Sequence, residues 1–352
     1  MKGKLFLGIF LSLLFIYLSF WKPDTGLIFS GSLLQGFFGS PRIDVGQMLE
    51  ALRSAKYLIL IVIVLFLYLG WWIRAWRWQL LAEPVKKVSA GLSFSALMIG
   101  YLGNNVLPLR AGEFMRAFVA AKRSGMPMSS ALGVVVVERV LDMLMLMLCF
   151  TLSLLFFPLP GLFRKTGIVV LIGTAVLVVF LLLLLYQRDR ALDIAEFFLK
   201  VFPRRLRRKL LKIISDFADG LEVFRRSERY FLVIMWTVVM WGLYFVIIYI
   251  SLYLFDFTDT LIYQAPAVTS VVMMTITTAG IGIPSAPGAV GTYHGVCLFG
   301  MELFKVPSEV GLSYAILLHI ANYLPMTLIG IVCLFKEGLH LTELAGAARD
   351  KT

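Results

Sequence analysis

Nine apolar runs follow one another along the 352-residue chain, at 4–21, 57–73, 88–107, 127–157, 166–186, 230–255, 262–280, 284–304 and 308–335. A hydrocarbon core of ~30 Å takes about 20 apolar residues in a helix, so this pattern predicts an all-α polytopic membrane protein. Two places break the pattern. The run Leu92–Leu107 ends at Pro108 and leads into the charged stretch Arg110–Lys122, where Phe114, Phe118 and Ala121 keep helical spacing. Between the runs at 262–280 and 284–304 stand Pro284, Pro287, Gly288 and Gly291. Proline removes a backbone donor and glycine admits positive φ, so a helix stops there. Each broken pair reads as a re-entrant hairpin that enters and leaves on one side, which leaves about six spans. Met1–Phe20 has a basic start and an apolar body, but no small-x-small pattern precedes Trp21, and it reads as a retained first span.

Basic residues set the expected orientation. Residues 187–229 hold twelve Lys and Arg against seven Asp and Glu, a surplus of five, which places this segment in the cytoplasm. The connection from Arg74 to Lys87 carries Arg74, Arg77, Lys86 and Lys87, whereas the turn Phe255–Leu261 carries Asp256 and Asp259 and no cation, so the two fall on opposite sides. Both termini are then cytoplasmic and the two hairpins are oppositely oriented. Spans at 57–73 and 127–157 flank the first, as 230–255 and 308–335 flank the second, in the manner of an inverted repeat. Arg42, Arg53, Lys56, Arg164 and Lys165 on the outer side run against this topology. Within 187–229, Ile194, Phe197, Phe198, Val201, Leu206, Leu210, Leu211, Ile214, Phe217, Leu221 and Phe224 recur at helical spacing, as in surface-lying amphipathic helices; a plain basic linker is the alternative. Residues 1–336 thus form one membrane domain and 337–352 a solvated tail.

Composition sharpens the class. Sixty per cent hydrophobic and 15% charged residues lie outside the range of soluble domains. The net charge of +12 sits between apolar runs, so anionic headgroups rather than nucleic acid are the expected counter-charge. Cys149, Cys297 and Cys333 lack paired spacing and read as packing residues. The Gly-rich turn 284–294 lacks the Lys-Ser/Thr of a phosphate-binding loop, and no cofactor is implied.

The chemistry on offer is charge at membrane depth, where one Asp, Lys or Arg costs roughly 2.5 to 3.5 kcal/mol at a helix centre. In the first cluster Asn104, Asn105, Arg110 and a helix N-terminus can meet a phosphate, with Glu113 and Arg116 three apart on one helix face. Arginines that merely brace the hairpin are the alternative. In the second, Glu138 and Asp142 share a face with Arg139 between them, leaving one acid to balance Arg110 or Arg116 or to carry a proton. A self-contained ion pair is the bland reading. Pro287, Gly288, Gly291 and His294 mark the second hairpin turn, where His294 is a headgroup contact, a proton site or simply a satisfied hydrogen-bonder. Asn322 and Pro325 mark a kink in the last span.

Asn105-x-x-Pro108-x-Arg110-x-Gly112-Glu113-x-x-Arg116, Glu138-Arg139-x-x-Asp142 and Pro287-Gly288-x-x-Gly291 together resemble the signature of the lysylphosphatidylglycerol synthase transmembrane family, also called flippase-like. The resemblance runs from the second span to Lys336. It implies a bacterial or archaeal cytoplasmic-membrane protein that moves a phospholipid or related anionic lipid between leaflets, with the matched residues near its cavity. Two departures stand out: Ala289 and His294 where the family often has Gly and Glu, and no sizeable region after Lys336 for aminoacyl transfer. Expected partners are membrane lipids, with a second copy of the chain or a lipid-modifying enzyme as further ones. A membrane transferase acting on a lipid or polyprenyl-phosphate carrier, and a non-transporting accessory protein, are the competing classes.

Overall fold

The computed structural model describes residues 2–23, 39–107, 111–157, 229–282 and 285–339, and 172–215 apart from 174, 178, 181, 182, 185, 209 and 213. Arg110, Pro108, Pro284, Phe217, Leu221, Phe224 and most of the run at 166–186 therefore lie outside or only partly within the described residues. In chain order the helices are α1 (Lys2–Phe20), α2 (Val45–Ser54), α3 (Tyr57–Ala82), α4 (Ala90–Val106), α5 (Gly112–Ser124), α6 (Met128–Phe156), α7 (Arg188–Leu199), α8 (Tyr230–Ser251), α9 (Leu261–Gln264), α10 (Pro266–Gly282), α11 (Thr292–Leu303) and α12 (Ser308–Lys336). The only strands among them are the two-residue pair Trp21–Lys22 and Ser40–Pro41, antiparallel with Trp21 opposite Pro41.

The all-α membrane architecture expected from the apolar runs is what the chain adopts. α3, α8 and α12 are long and apolar enough to cross a bilayer. α6 has 29 residues, about 43 Å at 1.5 Å per residue, and carries three charges. α4 and α10 have 17 residues each, about 25 Å, short of a ~30 Å core.

One succession of elements occurs twice. α3, α4, α5 and α6 have 26, 17, 13 and 29 residues; α8, α10, α11 and α12 have 22, 17, 12 and 29. The connector into the last helix is also shared. Gly125 at φ 71°, buried Met126 and Pro127 precede α6; Lys305 at φ 60°, buried Val306 and Pro307 precede α12. A left-handed residue reverses the chain, an apolar one anchors it, and proline starts the next helix without needing a donor.

The chain forms two compact units. The first comprises Met1–Trp71, Leu97–Arg116 and Gly242–Thr352. Here α11 packs against α1, α10 and α12, and α12 also packs against α2. Gly291, at φ 85°, lets the turn press against the Ser12 carbonyl on α1, and Ser12 Oγ accepts the Ala286 N–H at 2.8 Å. Arg42 donates to the Leu18 carbonyl at 2.7 Å and pairs with Glu302, which occupies one of the cations that ran against the expected topology. α12 runs from Ser308 to Lys336 with Pro325 inside it.

The second unit comprises Trp72–Ala96 and Ala117–Trp241. Trp72 stacks on Phe94 with centroids 4.3 Å apart, and Trp76 lies 5.7 Å from Trp236. In the basic segment α7 packs Ala191 against Leu184 and Ile214, while Phe197 and Phe198 stay exposed. One expectation fails here: Arg74 and Arg77 do not begin a loop. α3 runs on to Ala82 and both arginines are buried in it. No breaker stands between Trp71 and Pro84, so the helix has no reason to stop at a charge.

Candidate functional site

Arg74 and Arg77 are three apart on α3, and Glu138 and Asp142 are four apart on α6, so each pair shares a helix face. The two faces meet. Arg74 Nη2 lies 2.6 Å from Glu138 Oε1 and 2.7 Å from Asp142 Oδ2. Arg77 Nη2 lies 2.8 Å from Asp142 Oδ1 and 3.4 Å from Glu138 Oε1, and its Nη1 donates to Thr237 Oγ1 on α8 at 3.2 Å. The Thr237 hydroxyl passes its own hydrogen to the Val233 carbonyl. Arg139 sits at the margin, 3.4 Å from Glu138 and 3.6 Å from Asp142.

Exposure separates the three cations. The Arg77 and Glu138 side chains are 0% exposed and Arg74 8%, whereas Arg139 is 39% exposed. Arg74 and Arg77 are committed to the carboxylates by short, charge-assisted bonds. Arg139 is held at longer range and is the most exposed of the three. The sequence left one surplus acid in this cluster, to be balanced by Arg110 or Arg116. Arg74 and Arg77 fill that place, and among the described residues these two and Arg139 meet Glu138 and Asp142.

In the first unit α4 and α5 touch backbone to backbone. A Cβ on Gly100 would stand 2.9 Å from the Gly112 carbonyl oxygen, and one on Gly112 would run into that of Gly100. Asn104 Oδ1 accepts the Gly112 N–H at 3.0 Å, satisfying one orphan donor at the start of α5. Asn105 is buried, with Nδ2 donating to Thr327 Oγ1 at 2.8 Å and its carbonyl accepting from the Tyr323 hydroxyl. Both asparagines, expected at a phosphate, thus serve the packing of α4. Arg116 is buried and Glu113 half-buried on α5.

The second hairpin turn is broken as expected: Pro287–Ala289 forms a 3-10 turn with Gly288 at φ 69°, and α11 starts at Thr292. His294 Nδ1 accepts the Gly291 N–H at 3.3 Å, across the first turn of α11. His319 Nε2 binds the Gly288 carbonyl at 2.9 Å. The two imidazoles stand edge to face at 4.8 Å, and His319 also lies 5.1 Å from the Tyr293 ring and 5.5 Å from that of Tyr323. Pro287, Gly288 and Gly291 shape the turn, and His294 stitches it to α11. Outside the membrane helices, the Thr258 N–H holds the Asp256 carboxyl below its ordinary range. The three cysteines are free and buried. Among the described residues no three of His, Cys, Asp and Glu gather as a metal site.

Arg74, Arg77 and His319 were not among the residues singled out from sequence. The arginines carried a signal, namely an unbroken aromatic run with two cations one helical turn apart, Trp71–Leu81. His319 carried one too, since it follows Pro307 by the interval that separates Arg139 from Pro127.

Residues 5–330 match the family described as the lysylphosphatidylglycerol synthase TM region. A UPF0104 membrane protein of Methanothermobacter thermautotrophicus is 22% identical over 318 residues, 86% of this chain and 92% of that one. Another, from Methanocaldococcus jannaschii, is 23% identical over 260 residues, 68% of this chain and 73% of that protein. A 103-residue stretch, 29% of this chain, is 31% identical to the glycosyltransferase AglD of Haloferax volcanii, of which it spans 16%. No solved structure matches.

Proposed function

Because the chain belongs to the lysylphosphatidylglycerol synthase TM region family, a set of multi-pass membrane proteins, we propose that it moves a phosphate-bearing lipid between the leaflets of the cytoplasmic membrane. The observation that carries this reading is the network in which Arg74, Arg77 and Arg139 meet Glu138 and Asp142 on membrane helices, with Arg139 at its exposed margin. A bilayer tolerates such a set where it pairs or faces a wet path. Arg74 and Arg77 hold the acids, and the acids hold Arg139 in place. Arg139, the most exposed of the three, supplies the charge-assisted bonds that a phosphate attracts. Arg110, Glu113 and Arg116 are a second cationic set, with Asn104, Asn105, Pro287, Gly288, Gly291 and His294 shaping the hairpins that carry it or answer it. The short α4 and α10 suit re-entrant hairpins, whose opposite orientation and cytoplasmic termini complete the reading.

Reconstitution tests it. Proteoliposomes should speed the transbilayer movement of phosphate-bearing lipids over a neutral glycolipid or diacylglycerol probe. Movement of every class at the protein-free rate would contradict the proposal. The shared stretch with a glycosyltransferase favours a second reading, a membrane transferase acting on a lipid carrier. Covalently altered lipid recovered from the same vesicles would establish it.

A further inference from the structure

The three histidines of the chain are His294, His319 and His340, and the hydrogen bonds of the first two fix which nitrogen of each carries hydrogen. A carbonyl only accepts, so His319 Nε2, 2.9 Å from the Gly288 oxygen, is the protonated nitrogen and Nδ1 holds the lone pair. A backbone N–H only donates, so His294 Nδ1, 3.3 Å from the Gly291 nitrogen, is a lone pair already in use. Of the two rings, His319 alone has a basic nitrogen to offer. A proton there leaves the Gly288 bond intact. A proton on His294 Nδ1 would set two donors against each other and put a cation in the first turn of α11, where the helix dipole repels it.

The surroundings favour the same ring. Tyr293 stacks on His319 at 5.1 Å with planes 26° apart, and Tyr323 flanks it at 5.5 Å, so an imidazolium would meet two aromatic faces. His294, 4.8 Å away, must then stay neutral, because like charges that close disfavour one another. The titratable and charged residues on α12 and the elements packed against it include Tyr293, His294, Cys297 and Glu302 on α11, Tyr314, Tyr323 and Glu309 on α12, Asp44, Glu50, Arg53 and Lys56 on α2 and its flanks, and Tyr101 on α4. Among the described residues no carboxylate or cation is hydrogen-bonded or ion-paired to either imidazole.

We propose that His319 is a proton-binding site, which takes one proton on Nδ1 for the His294–His319 pair while holding the 287–291 turn through Gly288. The role goes beyond headgroup recognition. It rests on the translocation reading only for its consequence, that lipid movement responds to a pH gradient through this residue.

The test has two arms on the full chain in lipid bilayers. In nanodiscs, protein labelled with 15N-histidine and carrying His340→Gln should show one imidazole whose Nδ1 gains a proton as the pH is lowered. The signal should vanish in His319→Gln and persist in His294→Gln. In proteoliposomes, an inward or outward pH gradient should change the rate of labelled-phospholipid movement, and His319→Gln should abolish that response while keeping the gradient-free rate. If His319 does not titrate, or if His294 titrates in its place, the proposal is overturned whether or not lipid moves. Titration of His319 with no movement of any lipid would uphold the proton site and sink translocation. Titration with movement indifferent to the gradient would overturn the coupling.

Discussion

The last helix of each repeated set carries polar side chains at the same register. Arg139 and Asp142 stand 12 and 15 residues after Pro127 on α6, and His319 and Asn322 stand 12 and 15 after Pro307 on α12. The chemistry differs. On α6 the groups are ion-paired, and counter-ions come from α3 through contacts of 2.6 to 2.8 Å. On α12 the key group is an imidazole held by one carbonyl and two tyrosine rings. One scaffold thus presents a fixed-charge centre in one copy and a titratable centre in the other. Buried charges persist only where they are paired, whereas an imidazole can stand neutral.

The largest expected effect follows from that asymmetry. Glu138→Ala leaves Arg74 and Arg77 buried with one carboxylate between them, and should lower stability by about 3 to 5 kcal/mol. His319→Gln keeps a donor for Gly288 and should cost about 1 kcal/mol or less. Thermal unfolding of the two variants in the same detergent checks this, and equal losses would break the comparison. The hairpins give the next contrast. Gly112→Ala meets the Gly100 carbonyl and should cost about 1 to 3 kcal/mol, while Gly300→Ala meets the end of the Met273 side chain, which can turn aside, and should cost less. Gly133→Ala, with open space around it, should be neutral or stabilising by up to about 1 kcal/mol in the same assay. Thr237→Val removes the hydroxyl that accepts from Arg77, a loss of about 1 kcal/mol that should disappear when Arg77 is also replaced. Smallest is Arg229→Ala. Its pair with Glu83 is exposed, so the change should stay within roughly 1 kcal/mol and fade with salt.

The helical architecture was legible because apolar runs have few other uses at this length, and the hairpin breaks because proline and glycine act locally. The spans at 127–157 and 308–335 reappear almost residue for residue as α6 and α12. What could not be read locally was partnership. Arg74 looks like a membrane-border cation until Glu138 is brought beside it, 64 positions along the chain. Asn104 and Asn105 carry amides that suit a ligand or a helix start equally well, and the approach of Gly112 and Thr327 decides for packing. For His294 the sequence left a headgroup contact, a proton site and a satisfied hydrogen-bonder open; its Nδ1 accepts from Gly291, while His319 Nε2 binds Gly288. Arg110 lies outside the described residues, so its place in the first cluster rests on sequence alone.

The most direct test of the fixed-charge centre is the transbilayer rate of a phosphate-bearing lipid in proteoliposomes holding the native chain, Arg139→Lys or Arg139→Gln at matched folded protein. Loss of a charge-assisted bond of about 1.5 to 3 kcal/mol predicts a rate roughly ten- to a hundredfold lower in Arg139→Gln. Arg139→Lys should fall between, keeping the charge and losing the two-pronged geometry. A native rate in Arg139→Gln, with the variant folded and the native chain active, would contradict the assignment of Arg139 to the lipid path.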